Sequence, residues 1–176
     1  MIAKTHRSFA MASATTTMVL LASTTPIFTD VDPQVQVVSV AIVLVATYLS
    51  ATLPDFDQYI PFISHRGITH AIWIPLALMY ATWFHRMEPH IFEALLGVTI
   101  GYTSHIIGDA FSAAGIAFLY PFQRYTRLGS GAFYVKGPRG PFQPLYSVGA
   151  KTFINPSIIW YGIAIAMFAL FVQIIM

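Results

Sequence analysis

Long apolar runs constrain this chain more than any other feature of its sequence. About 20 mostly apolar residues cross the hydrocarbon core of a bilayer as a helix, and four runs approach that length, at 35–53, 68–84, 91–110 and 158–176. A fifth run, at 9–28, is weaker because it is rich in Ser, Thr and Ala. Small and hydroxylated residues suit close packing between membrane helices. The pattern therefore predicts about five transmembrane helices.

The composition agrees with a membrane-embedded fold. Of the 176 residues, 56% are hydrophobic and only 9% are charged, whereas soluble domains usually have about 25% charged residues. A chain of this size cannot bury so much apolar surface in one soluble core. We therefore expect an all-α, polytopic helical bundle that forms a single integral membrane domain over residues 1–176. With no cysteine, any metal ion must be bound through nitrogen and oxygen, and the small net charge of +2 does not suggest nucleic acid.

The distribution of Lys and Arg predicts an orientation. With the N-terminus in the cytoplasm, all cations except Arg86 fall on the inner side, as the positive-inside rule requires: Lys4, Arg7, Arg66, Arg124, Arg127, Lys136, Arg139 and Lys151. Gly and Pro interrupt the segment 115–156. We expect it to form a long cytoplasmic-side interfacial loop in contact with membrane lipids. Glu93, on the outer side, is expected to reach the lipid headgroups.

The same topology gathers polar residues at the inner end of the bundle. They lie just before or after the apolar runs, and they are His6, Asp55, Asp57, His65, Arg66, His70, His105 and Asp109. His105 and Asp109 are four residues apart, so they share one helix face. If the backbone after Pro54 is extended, Asp55 and Asp57 also point the same way. An ionisable group in a span costs about 2.5–3.5 kcal/mol, so it normally has a partner or a function.

Two interpretations explain this cluster. In the first, its imidazole and carboxylate groups bind one or two divalent ions, zinc or manganese being the candidates; the predicted ligands are His6, Asp55, Asp57, His65, His70, His105 and Asp109. In the second, internal ion pairs suffice: Arg66 neutralises Asp109, Lys4 neutralises Asp55, and the histidines pack as neutral rings. The acids outnumber the nearby cations, and buried charges need partners or metals, which favours the first interpretation.

Five motifs add a resemblance to a known family. They are "KTH", "LPDFD", "HRGITHA", "GYTSHIIGDAFSAAGI" and "YPF", and they extend in order from His6 to Phe122. Together they resemble the YdjM-type bacterial inner-membrane metal-dependent hydrolases. The resemblance implies a small helical membrane enzyme with a metal centre, and its motif positions match the same seven candidate ligands. The basic segment after "YPF" is not explained by the family pattern.

The leading functional hypothesis is an integral membrane hydrolase at the cytoplasmic face of the bacterial inner membrane. Its substrate would be amphiphilic, a lipid-like or phosphate-containing ester. Asp57 is the candidate base or bridging ligand, and Arg66 either binds the phosphate or pairs with an aspartate. The alternative is a non-catalytic metal-binding subunit of a homo- or hetero-oligomeric membrane assembly. A cation transporter ranks last, because the sequence shows little sign of a polar path to the outer side.

Overall fold

Every regular element in the described part of the chain is a helix. The computed structural model describes residues 3–25, 32–63, 66–110, 116, 118–122 and 156–176. These residues form five α-helices and two 3₁₀ helices: α1 (Ala3–Thr24), α2 (Pro33–Ser50), a 3₁₀ helix (Leu53–Tyr59), a 3₁₀ turn (Ile68–His70), α3 (Trp73–Phe84), α4 (Pro89–Ala110) and α5 (Pro156–Ile175). The predicted all-α class is confirmed. The predicted interfacial loop falls largely on residues 123–155, outside the described part.

Three helical segments are long and apolar enough to cross a membrane: Pro33–Tyr59, Pro89–Ala110 and Ser157–Ile175. The other two predicted runs also form helices. With 22 residues, α1 is about 33 Å long, but its Ser and Thr residues make it more polar. With 12 residues, α3 is about 18 Å long, shorter than the roughly 30 Å of hydrocarbon in a bilayer.

The helix predicted at 68–84 is broken near its start. Ala71 is extended, with φ −76° and ψ 147°, and the next amide, of Ile72, donates to the carbonyl of Phe118 at 2.9 Å instead of continuing a helix. The regular helix therefore begins at Trp73. Pro75 lies in its first turn, where a missing N–H is tolerated. The 3₁₀ turn Ile68–His70, before this break, is therefore not part of α3.

Two glycines bring α4 against α2. A Cβ atom on Gly101 would lie 2.5 Å from the carbonyl oxygen of Thr47, and one on Gly97 would lie 3.2 Å from the Thr47 amide nitrogen. Small residues four apart permit such close approach of membrane helices. His105 and Asp109 continue the same four-residue ridge of α4. The contact between α2 and α4 therefore also positions these two polar side chains.

The Ser- and Thr-rich helix α1 is internal, as its composition predicts. It packs against α5, α4 and α2, and Ala10, Ala14 and Met18 are fully buried. Its hydroxyl groups bond to the preceding turn, as where Thr17 Oγ1 donates to the Ser13 carbonyl at 2.8 Å. His6, near the start of α1, lies 3.3 Å from Asp109 near the end of α4, and His105 of α4 lies 2.8 Å from Ala51 after α2. The start of α1 therefore lies at the same end of the bundle as the C-terminal ends of α2 and α4.

Candidate metal centre

Four imidazole and carboxylate side chains meet at this end of the bundle. Asp55 comes from the 3₁₀ helix after α2, His70 from the 3₁₀ turn before α3, and His105 and Asp109 from the last two turns of α4. One donor atom from each lies within 4.8 Å of the other three. Asp55 is 25% exposed, whereas the other three side chains are buried. These residues, the four-donor group, can hold a metal ion.

The distances suit a small divalent ion. His105 Nε2 lies 3.5 Å from Asp55 Oδ1 and 3.8 Å from Asp109 Oδ2. His70 Nε2 lies 3.9 Å and 3.6 Å from the same two oxygens. A tetrahedral ion bound at about 2.0–2.2 Å places its ligand atoms about 3.3–3.6 Å apart. Four of the six donor–donor distances are therefore close to the required spacing, and the other two lie within 4.8 Å.

The hydrogen bonding of His105 fixes which nitrogen faces this group. Its Nδ1 lies 2.8 Å from the carbonyl oxygen of Ala51. A carbonyl oxygen only accepts, so Nδ1 carries the proton and the neutral ring has its lone pair on Nε2. Within the described part of the chain, buried Nε2 has no hydrogen-bond partner. It faces the acceptor oxygens of Asp55 and Asp109, and a cation between them would give its lone pair a partner.

Two further predicted residues contact Asp109. Arg66 Nη2 lies 3.0 Å from Asp109 Oδ2, and His6 Nε2 lies 3.3 Å from Asp109 Oδ1. The His6 ring also stacks on His105, with centroids 3.8 Å apart. The Arg66–Asp109 pair is one that the ion-pairing interpretation predicted, whereas Lys4 is exposed. Ion pairing thus accounts for one member of the four-donor group, Asp109.

Asp57 lies on the opposite edge of the His70 ring. Its Oδ2 accepts hydrogen bonds from Thr69 Oγ1 at 2.5 Å and from the Arg66 amide at 3.0 Å, and it lies 3.5 Å from His70 Nδ1. An extended backbone after Pro54 would point Asp55 and Asp57 the same way. The segment is instead a 3₁₀ helix, in which residues two apart are rotated by about 240°. Their carboxylates therefore diverge.

The structure brings together four of the seven predicted ligands, and these are Asp55, His70, His105 and Asp109. His6 and Asp57 lie beside this group. His65 falls outside the described residues. The number of ions therefore stays a prediction.

Sequence reasoning missed two supporting residues, Thr69 and Tyr102. Thr69 bonds to Asp57 and lies 3.0 Å from His70 Nδ1 through its hydroxyl oxygen. The Tyr102 hydroxyl donates to the Thr69 carbonyl at 2.5 Å. Their positions in the sequence could have indicated a supporting role, since Thr69 directly precedes His70 and Tyr102 lies about one turn before His105.

Glu93 does not reach outward as expected. Its side chain is 8% exposed, and Oε2 lies 3.2 Å from Nδ1 of His90. It lines a cavity of about 950 Å³ whose other lining residues include Thr99, Thr103 and Ile107. The expectation was wrong because the carboxylate turns into the bundle, where the imidazole of His90, three residues earlier, pairs with it.

His6→Ala tests whether the four-donor group binds its ion without His6. We expect the variant to retain one bound divalent ion per chain, with affinity reduced by about 10-fold, because His6 supports Asp109 and His105 from outside the group. Elemental analysis and competition with a chromophoric chelator measure both quantities. Loss of one of two wild-type ions would instead place His6 among the ligands of a second ion.

Comparison with known proteins identifies related sequences. Residues 1–176 match the protein family described as YdjM inner membrane protein. Two curated proteins named inner membrane protein YdjM, from Escherichia coli (strain K12) and Shigella flexneri, are each 34% identical over 98 residues. The alignments cover 46% of this chain and 50% of each relative, so the chain spans about half the length of the curated relatives it matches. No solved structure shows a significant match.

Proposed function

Since this chain belongs to the YdjM inner membrane protein family, we propose that it is a membrane-embedded, metal-dependent hydrolase. Asp55, His70, His105 and Asp109 would hold the ion, and the spacing of their donor atoms is the observation that carries the proposal. Two imidazoles and two carboxylates suit zinc or manganese. Such an ion supplies Lewis-acid chemistry and activates water for hydrolysis.

Arg66 is the residue best placed to bind an anionic substrate group. Its side chain is 13% exposed, and its guanidinium lies 3.0 Å from the Asp109 carboxylate. A planar guanidinium suits the two-pronged recognition of phosphate. Its backbone has a left-handed φ of 63°, which is uncommon for a residue with a side chain, and the bond from its amide to Asp57 supports this conformation. We therefore favour for Asp57 a role in holding Arg66 and His70 over a role as a base.

The location of the site favours an amphiphilic substrate. The four-donor group lies at one end of the helices, and its member Asp55 is partly exposed, so a lipid headgroup and water would both have access there. Lys4, Arg7 and Arg66 lie towards this end, whereas Arg86 follows α3 at the other. That distribution supports the cytoplasmic face. A lipid phosphoester is the substrate class that combines these features.

One observation favours the alternative, a non-catalytic metal-binding subunit. Four protein donors already satisfy a tetrahedral ion, and closed sites of this kind are usually structural. Cobalt-substituted protein distinguishes the two functions, because its visible spectrum changes when an added ligand enters the coordination sphere. A change on adding inorganic phosphate supports the hydrolase, and an unchanged spectrum supports the structural subunit.

Arg66→Lys tests the proposed role in substrate binding. With purified protein, zinc or manganese, and vesicles containing phosphatidic acid, we expect the wild type to release phosphate. The variant keeps the positive charge but loses the planar, two-pronged guanidinium, so kcat/KM should fall by about 100-fold. Elemental analysis should show an unchanged metal content. Arg86→Lys, at the opposite end, is the matched control and should behave as wild type. No release by metal-loaded wild type, from this or other lipid phosphates, would contradict the proposal.

A further inference from the structure

We infer that Thr69 is a positioning residue that keeps the ring proton of His70 on Nδ1, so that Nε2 is the metal-binding nitrogen. The role in metal binding rests on the function proposed above. The position of the proton does not, because it follows from hydrogen bonds present without any ion.

The direction of each hydrogen bond follows from the groups involved. Thr69 Oγ1 lies 2.5 Å from Asp57 Oδ2 and 3.0 Å from His70 Nδ1. A hydroxyl has one proton to donate, and an ionised carboxylate can only accept. The Thr69 proton therefore points to Asp57, and its lone pair accepts from His70. Nδ1 must then be the protonated nitrogen of the neutral ring.

This proton position leaves the His70 Nε2 lone pair facing Asp55 and Asp109, at 3.9 Å and 3.6 Å. His105 has the same tautomer for a different reason, because its Nδ1 donates to the backbone carbonyl of Ala51. Metal-binding histidines usually donate their other N–H to a carboxylate, a carbonyl or water. For His70 the carboxylate is Asp57, and Thr69 connects the two.

Thr69 is itself held in place by α4. The Tyr102 hydroxyl donates to the Thr69 carbonyl at 2.5 Å, and Tyr102 lies about one turn before His105. The amide of Arg66 bonds to the same Asp57 oxygen as Thr69 does. Thr69 therefore connects the segment that carries His70 both to Asp57 and to the helix that carries His105. A hydroxyl is required there, and a methyl group of equal size cannot replace it.

Thr69→Val and Thr69→Ser test this role as a pair. We expect ¹⁵N NMR of histidine-labelled, metal-free protein to show the His70 proton on Nδ1 in the wild type and in Thr69→Ser. In Thr69→Val the proton should shift partly or wholly to Nε2. The dissociation constant for zinc should rise about 10- to 100-fold in Thr69→Val and remain near wild type in Thr69→Ser. Thr82→Val is the control, since Thr82 also shares a hydroxyl contact, 2.9 Å from Thr99 Oγ1, but away from the site.

Several results would overturn the inference. A wild-type His70 protonated on Nε2 refutes it directly, even if Thr69→Val does not fold. Unchanged zinc affinity in a folded Thr69→Val protein refutes the positioning role. A wild type with the expected tautomer but no affinity for zinc or manganese refutes the metal site, and with it the role of Thr69 in metal binding, while leaving the hydrogen-bond assignment intact.

Discussion

Replacing His105 with alanine should weaken divalent metal binding by at least about 100-fold, more than the 10- to 100-fold typical of residues that only support a ligand. His105 Nε2 is 3.5 Å from Asp55 Oδ1 and 3.8 Å from Asp109 Oδ2, so its loss removes the donor between the two carboxylates. The ring is fully buried, and alanine offers no replacement donor. Elemental analysis and chelator competition on detergent-purified protein measure the effect.

His90→Ala is the matched control for this variant. His90 also contacts a carboxylate through Nδ1, at 3.2 Å from Glu93 Oε2, but its side chain is 67% exposed and it lies at the start of α4. We expect its metal affinity to equal that of wild type. If His105→Ala retains stoichiometric metal with wild-type affinity, the four-donor group is not a metal site, and the ion-pairing interpretation of the cluster is correct.

The clustering of the four-donor residues at one end of the bundle was predictable, because it depends on topology alone. When apolar runs alternate in direction, the start of the first helix and the ends of the second and fourth meet on one side. This places Asp55 close to His105 and Asp109 without any knowledge of packing. The four-residue spacing of His105 and Asp109 then fixes their shared face.

The finer arrangement was not predictable, because it depends on the short segments between helices. The path after Pro54 could be extended or 3₁₀, and the choice decides whether Asp57 joins Asp55 or turns towards Thr69. The break at Ala71 relies on a backbone bond from Ile72 to Phe118, 46 residues away in the sequence. Local patterns do not contain such distant partners, so the roles of Asp57 and Thr69 required the structure.

Gly101→Ala, at a position outside the four-donor group, is expected to lower both the stability of the bundle and its metal affinity. The new Cβ would lie 2.5 Å from the Thr47 carbonyl and would also collide with Ser50 Oγ, so α4 must move away from α2. Overpacking of this kind costs about 1–3 kcal/mol of stability. The movement would also separate His105 from the Ala51 carbonyl that orients it at 2.8 Å. We expect a lower melting temperature in detergent and metal affinity at least about 10-fold weaker.

Gly162→Ala is the matched control for Gly101→Ala. Gly162 lies within α5, and a Cβ there meets no atom within 4 Å. Alanine should therefore be neutral or stabilise the helix by up to about 1 kcal/mol, with metal affinity unchanged. A loss of metal in Gly101→Ala alone would mean that helix packing, and not the ligands by themselves, sets the spacing of the donors. If both variants melt and bind metal alike, the close contact between α2 and α4 does not position His105 and Asp109.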